Sequence, residues 1–159
     1  MITQAECSKS HGEIVQKIWD SISKEVYSEE DPFRSLGFRD NNGTTSYYSS
    51  NVTSEDAKKV DEFCQAKKIS PLNTRLIKLA DNEYELRIAS QTANKLPYLQ
   101  TYTHTLGTDD TIKVHVKSGD FTEIMHKVVE AMEQSLNYAA NDNQRNMIID
   151  YIEHFKNGE

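Results

Sequence analysis

What this chain has little of narrows its class quickly. Two cysteines, Cys7 and Cys64, stand far apart in 159 residues, too few for the disulfide framework of a small secreted domain. No stretch approaches the ~20 apolar residues of a membrane-spanning helix. Cations are in deficit: 18 Lys and Arg against 25 Asp and Glu give a net charge of −7. That leaves no basic excess to neutralise phosphates, so the sequence argues against nucleic acid and against an anionic membrane surface as partners. Apolar residues make up 36%. Counting glycine in and tyrosine out brings the share to about a third, against roughly 45–50% in typical domains. Either the surface is unusually polar or the chain packs against something else. The N-terminus shows no basic segment followed by an apolar run, so no secretory leader is expected and the chain reads as cytoplasmic. Asn42-Gly-Thr and Asn51-Val-Thr match the glycosylation pattern, which is common by chance and needs a secretory route.

The length suits one domain with a single core. Residues 1–11 are polar and read as a disordered tail or a segment foreign to the domain, leaving 12–159 as the domain. Ile14, Ile18, Ile22 and Val26 recur every fourth residue, with Trp19 beside them, and predict a helix over 12–27,. Glu29-Glu30-Asp31 and Pro32 end it. A turn cluster at Asp40 to Gly43 precedes Thr44 to Ser50, whose Thr and Tyr suit a pleated surface. A cap at Thr53 or Ser54, acids in the first turn and Lys67-Lys68 at the close predict a helix over 54–68, with Ala57, Val60, Phe63 and Cys64 buried,. Two runs at 74–80 and 83–90 flank Asp81-Asn82 and predict a hairpin,. Residues 91–107 read as strand or irregular loop around Pro97, and 112–117 alternate as a strand,. Ser118-Gly119-Asp120 is read as the cap of a helix over 120–140, and a last helix is expected over 143–156. No internal repeat or dividing linker appears. The fold class expected is α+β, with short, mostly antiparallel strands of a partial barrel packed against about four helices.

No complete catalytic constellation is present. HExxH is missing, as are GxGxxG, the P-loop pattern and the G-x-S-x-G elbow. Glu123, His126 and Glu130 share a helix face, where opposite charges commonly just support the helix and a metal would want another ligand. His115 lies on the polar face of its strand between Lys113 and Lys117. Cys64, on an apolar helix face, reads as an inert buried thiol. The polar cluster Tyr47, Tyr48, Ser49, Ser50, Asn51, Asn73, Thr74 and Arg75 has two readings. It could hold a peptide backbone at a strand edge, or Asn51 and Asn73 could serve turns while Arg75 pairs with an internal carboxylate. Tyr47, Tyr48, Asn51, Asn73 and Arg75 are the substrate-binding candidates. No residue is assigned a catalytic or metal role.

Thr44 to Lys58 (TTSYYSSNVTSEDAK), with Asn73-Thr74-Arg75-Leu76, resembles the dipeptidyl peptidase III family of zinc exopeptidases. The family carries a stretch like TTYFSGNxTxEDAK, and NTRL. The similarity continues in order through Gly119-Asp120-Phe121, Lys127 to Glu130, Tyr138 to Asn141 and Tyr151-Ile152-Glu153. The family's zinc motifs, HExxGH and one of the EExRAE kind, are absent from these 159 residues. The resemblance implies an interior part of the lower, non-zinc lobe, described by a five-stranded β-barrel core. It implies a parent enzyme that removes dipeptides from the N-termini of oligopeptides using zinc, and the rest of that peptidase as partner. By itself this stretch is expected to be inactive and to hold no cofactor. The alternative is a stand-alone module that binds peptides at an exposed strand edge.

Overall fold

The computed structural model describes residues 12–93, 99–107 and 110–158. The expected tail at 1–11, Cys7 and part of the 91–107 stretch lie outside them. The chain divides into two compact units between Thr45 and Ser46.

In the first unit, α1 (Gly12–Val26) forms where the fourfold apolar spacing predicts it. It buries none of its residues, and Trp19 meets Tyr27 edge-on at 5.8 Å. A short turn system follows. Leu36 and Thr44 form an isolated bridge, and Asn42 takes a left-handed conformation that lets Gly43 N–H donate to Phe38. A Cβ on Gly43 would lie 2.7 Å from the backbone of Gly37, so only glycine fits this close approach.

The second unit is built on one sheet. Its strands are β1 (Thr74–Ala80), β2 (Glu83–Ala89), β3 (Thr101–Thr105) and β4 (Thr111–Asp120), in the order β1-β2-β4-β3. β1 and β2 form the expected antiparallel hairpin, β3 and β4 are antiparallel, and the central β2 to β4 pairing is parallel. The sheet is open, ending at β1 and β3.

Alternation along the strands sends Leu76, Tyr84, Leu86, Ile88, Ile112, Val114 and Val116 into the core. Against that face lies α2 (Ser54–Lys67) with Val60, Phe63 and Cys64 buried. Phe63 touches Tyr102 and His104 of β3 at ring distances of 5.3 and 5.6 Å. The opposite face carries a ladder of charges. Glu83 meets Lys113 at 2.9 Å and His115 at 2.7 Å, while Glu85 pairs with Arg87 and Lys117.

Two further helices, α3 (Thr122–Ser135) and α4 (Asp142–Asn157), close a smaller core of Val129, Ile148 and Ile152. The end of α4 is tied to the sheet's margin: Gln91 and Thr92 donate backbone hydrogen bonds to Phe155 and Lys156.

Two expectations are corrected. Residues 44–50 do not form a strand. Thr44 and Thr45 belong to the first unit, where Thr44 bridges Leu36, and Tyr48 makes a separate isolated bridge to Leu76. Side chains of Ser49 and Asn51 take over the hydrogen bonds that further backbone pairing would make. Nor does Ser118-Gly119-Asp120 cap a helix. β4 runs on to Asp120, whose carboxylate is engaged by Arg75, and α3 starts from Phe121 in a left-handed conformation with no side-chain cap.

Candidate functional site

The polar cluster assembles where the segment 47–51 runs beside β1. Leu76 N–H donates to the Tyr47 carbonyl at 2.8 Å, and Ser49 N–H donates to the Leu76 carbonyl at 3.0 Å. One step along, side chains replace backbone. Lys78 N–H donates to Ser49 Oγ and Asn51 Nδ2 donates to the Lys78 carbonyl, both at 3.0 Å. Ser49 Oγ in turn donates to Asn51 Oδ1 at 2.6 Å, which fixes both groups. A strand edge that would otherwise offer free donors and acceptors is thereby satisfied from within the chain.

Asn73 and Arg75 are also engaged internally. Asn73 Nδ2 donates to the Gly158 carbonyl at 3.1 Å, joining the start of β1 to the end of α4. Arg75 Nε and Nη2 donate to the two oxygens of Asp120 at 2.6 and 2.7 Å. Its guanidinium lies 4.5 Å from the Phe121 ring centroid, a cation–π contact,. The hydrogen bonds from Arg75 to Asp120 push the guanidinium pKa further up. Tyr47, Asn73, Arg75, Asp120, Phe121 and Phe155 line a cavity of about 320 Å³. Tyr47 is exposed and Tyr48 half-buried.

The second polar centre was not legible from spacing. Asp56, read as a first-turn acid three residues after the cap candidate Thr53, completes a capping box with Thr53 and also receives the Tyr84 hydroxyl at 2.6 Å and Lys78 Nζ at 3.1 Å. Burial pushes its pKa up, but hydrogen bonds from Tyr84, from the Thr53 backbone and hydroxyl, and from Lys78 outweigh that and hold it at about 2. Burial, then the neighbouring Asp56 carboxylate, pushes the Tyr84 phenol up. The hint lies in alternation: Tyr84 and Lys78 share the inward face of the sheet, and a buried phenol beside a half-buried ammonium needs a partner,.

The remaining candidates fall apart. His126 reaches Gln91 at 2.6 Å and Glu130 at 3.3 Å on an exposed helix face. His115 sits between Thr101 at 2.8 Å and Glu83 at 2.7 Å. Burial, with Asp61 nearby, pushes the free Cys64 thiol up to about 11, away from the thiolate a nucleophile needs. Among the described residues no group of three or more His, Cys, Asp or Glu side chains could hold a metal ion. These residues do not suit a zinc centre. None of the described helices is long and apolar enough to cross a membrane.

In the second unit the polar side chains of Asn73, Arg75, Ser49 and Asn51 are engaged within the chain. Residues 18–159 match the family model for peptidase family M49. The chain is 38% identical over 144 residues to a dipeptidyl peptidase 3 of Dictyostelium discoideum, covering 91% of this chain and 20% of the relative. It is 35% identical over 164 residues to the human dipeptidyl peptidase 3, covering 99% of this chain and 22% of the relative. The protein of that name from Rattus norvegicus is 34% identical over 165 residues. The chain belongs to peptidase family M49, and it spans about a fifth of the length of these curated relatives.

Proposed function

We propose that these residues serve as a structural part of the non-catalytic lobe of a dipeptidyl peptidase III-like enzyme. The whole enzyme would use zinc to remove dipeptides from the N-termini of oligopeptides, and its remaining lobe would be the partner of this one. The observation that carries the reading is the internal use of the polar cluster: Arg75 is spent on Asp120, Asn73 on Gly158, and Ser49 with Asn51 on Lys78. With HExxGH absent from the sequence, these residues would position and support a cleft rather than act in it. Residues 12–159 would then be one part of the lower lobe, and the low apolar share would reflect surfaces covered in the larger enzyme. A cytoplasmic setting agrees with Cys64 as a free, buried thiol. The test is hydrolysis of a dipeptidyl-arylamide together with elemental analysis for zinc. The reading expects neither turnover nor stoichiometric metal, and finding both would overturn it.

A stand-alone peptide-binding module is the second reading. The observation in its favour is that β3 stands at the margin of the described sheet. Titration with short oligopeptides, following amide shifts, separates the two. Shifts along 101–105 or at 44–50 and 74–90 favour the module, and silence at millimolar peptide favours the scaffold.

A further inference from the structure

We propose that the charged face of the sheet binds a single phosphate group between Arg87 and Lys117. The register lines up three cations across adjacent strands there: Arg75 on β1 lies opposite Arg87 on β2, and Arg87 opposite Lys117 on β4. Neighbours in such a row stand about 4.8 Å apart, and like charges set side by side destabilise a sheet. Two acids answer the three cations. Asp120 takes Arg75, and Glu85 takes both Arg87 and Lys117. The row is left with one positive charge in excess, in a chain whose net charge is −7.

Burial decides which sign a ligand meets. The Glu85 side chain is 6% exposed, against 41% for Arg87 and 61% for Lys117, so the carboxylate lies beneath and the cations stand over it. Burial pushes the Glu85 carboxyl up, but hydrogen bonds from Lys117 and Arg87 outweigh that and hold its pKa below the ordinary value. The two cations bind separate oxygens of this one group, which sets guanidinium and ammonium side by side. Arg87 gives only its Nε, at 2.5 Å, whereas Arg75 gives both Nε and Nη2 to Asp120. Both terminal nitrogens of Arg87 remain as an end-on fork, and the Lys117 ammonium keeps further protons. Among the described residues no other group accepts from either side chain. Glu83, two residues before Glu85 on the same face, is taken by Lys113 and His115. The open groups are all donors, so they fit an acceptor that carries several oxygens on one centre. A phosphate group meets the planar fork with two oxygens and the ammonium with a third. The chain's overall negative charge disfavours a polyphosphate or a nucleic acid in this place.

The direct test is a titration of the full 159-residue chain with sodium phosphate at pH ~7, followed by amide and arginine side-chain NMR,. Sodium chloride at matched ionic strength is the reference, because screening alone also moves exposed charges. Phosphate is expected to give saturable shifts centred on Arg87 and Lys117, including Arg87 Nε–H, with a midpoint on the order of 10 mM. Arg87→Lys keeps the charge but loses the fork, and is expected to weaken binding at least roughly fivefold. Lys117→Ala should do the same, and its exposed position keeps the test open should the Arg87 variant fold poorly,. Lys127→Ala removes an equal charge from α3 and should leave the midpoint unchanged. Phenyl phosphate separates the two sources of the group: a similar midpoint assigns the site to phosphate monoesters, and shifts from inorganic phosphate alone assign it to the free ion. Shifts that chloride reproduces, or that never saturate, overturn the proposal. So does a midpoint that Arg87→Lys and Lys117→Ala both leave where it was.

Discussion

Arg75 and Asp120 form a two-pronged ion pair at 2.6 and 2.7 Å between strands that are not neighbours in the sheet. β2 runs between them, so the pair clasps the start of β1 to the end of β4 over an intervening strand. The Asp120 side chain is 8% exposed, and a carboxylate that deep depends on its partner. Arg75→Ala is expected to cost about 3 kcal/mol by leaving that charge unpaired. Arg75→Lys should recover only part, because an ammonium cannot supply the fork. Chemical denaturation of the single and double variants in a cycle with Asp120→Ala checks this. A coupling under about 0.5 kcal/mol would demote the pair to a surface contact.

Asp56 makes stability depend on acid. Its carboxyl is depressed from 3.8 to about 2 in the folded chain. A depressed acid stabilises the fold above its unfolded value, and that contribution disappears as pH falls through the folded one. Stability is therefore expected to hold above pH ~5 and to lose about 2 kcal/mol between pH ~4 and ~2 from this group alone. Asp56→Asn should flatten that slope. Melting curves taken across the range decide it, and equal slopes in both proteins would contradict the assignment.

Ser49 and Asn51 stand in for backbone along β1. Ser49→Ala removes the acceptor for Lys78 N–H and is expected to speed exchange of that amide relative to its neighbours. The stability cost should be about 1 kcal/mol. Hydrogen exchange read by residue gives the answer, and unchanged protection at Lys78 would mean the amide finds another partner.

Gly158 ends α4 with φ +82° and lies where a Cβ would come 2.7 Å from Ile88 Cγ2. Gly158→Ala is expected to cost about 1–2 kcal/mol from the left-handed backbone and the contact combined. The loss should appear as a lower melting temperature with exchange rising at Gln91 and Thr92, whose amides bond α4 near its end.

The elements with strong periodicity were legible beforehand. α2 has its capping Thr53 and closing Lys67 where local chemistry puts them, and the β1 to β2 hairpin follows from alternation either side of Asp81-Asn82. Long-range partners were not. Nothing local reveals that β4 pairs in parallel with β2, because β3 comes between them in sequence. Asp120 looked like a cap because acids favour helix starts, yet a guanidinium 45 positions away claimed it. Thr and Tyr at 44–48 suit a strand, but such preference describes a pleated surface rather than a guaranteed partner. For Asn73 and Arg75 the sequence left two roles open, and the geometry shows what each touches: Gly158 and Asp120.

The claim that this M49 chain is scaffold rather than catalyst meets its most direct test in one preparation of the full chain. It is equilibrated with zinc, freed of excess ion, and divided between metal analysis and a dipeptidyl-arylamide assay. The account predicts well under one zinc per chain and a rate indistinguishable from buffer. One zinc per chain with sustained turnover, lost on chelation and restored by added zinc, would contradict it.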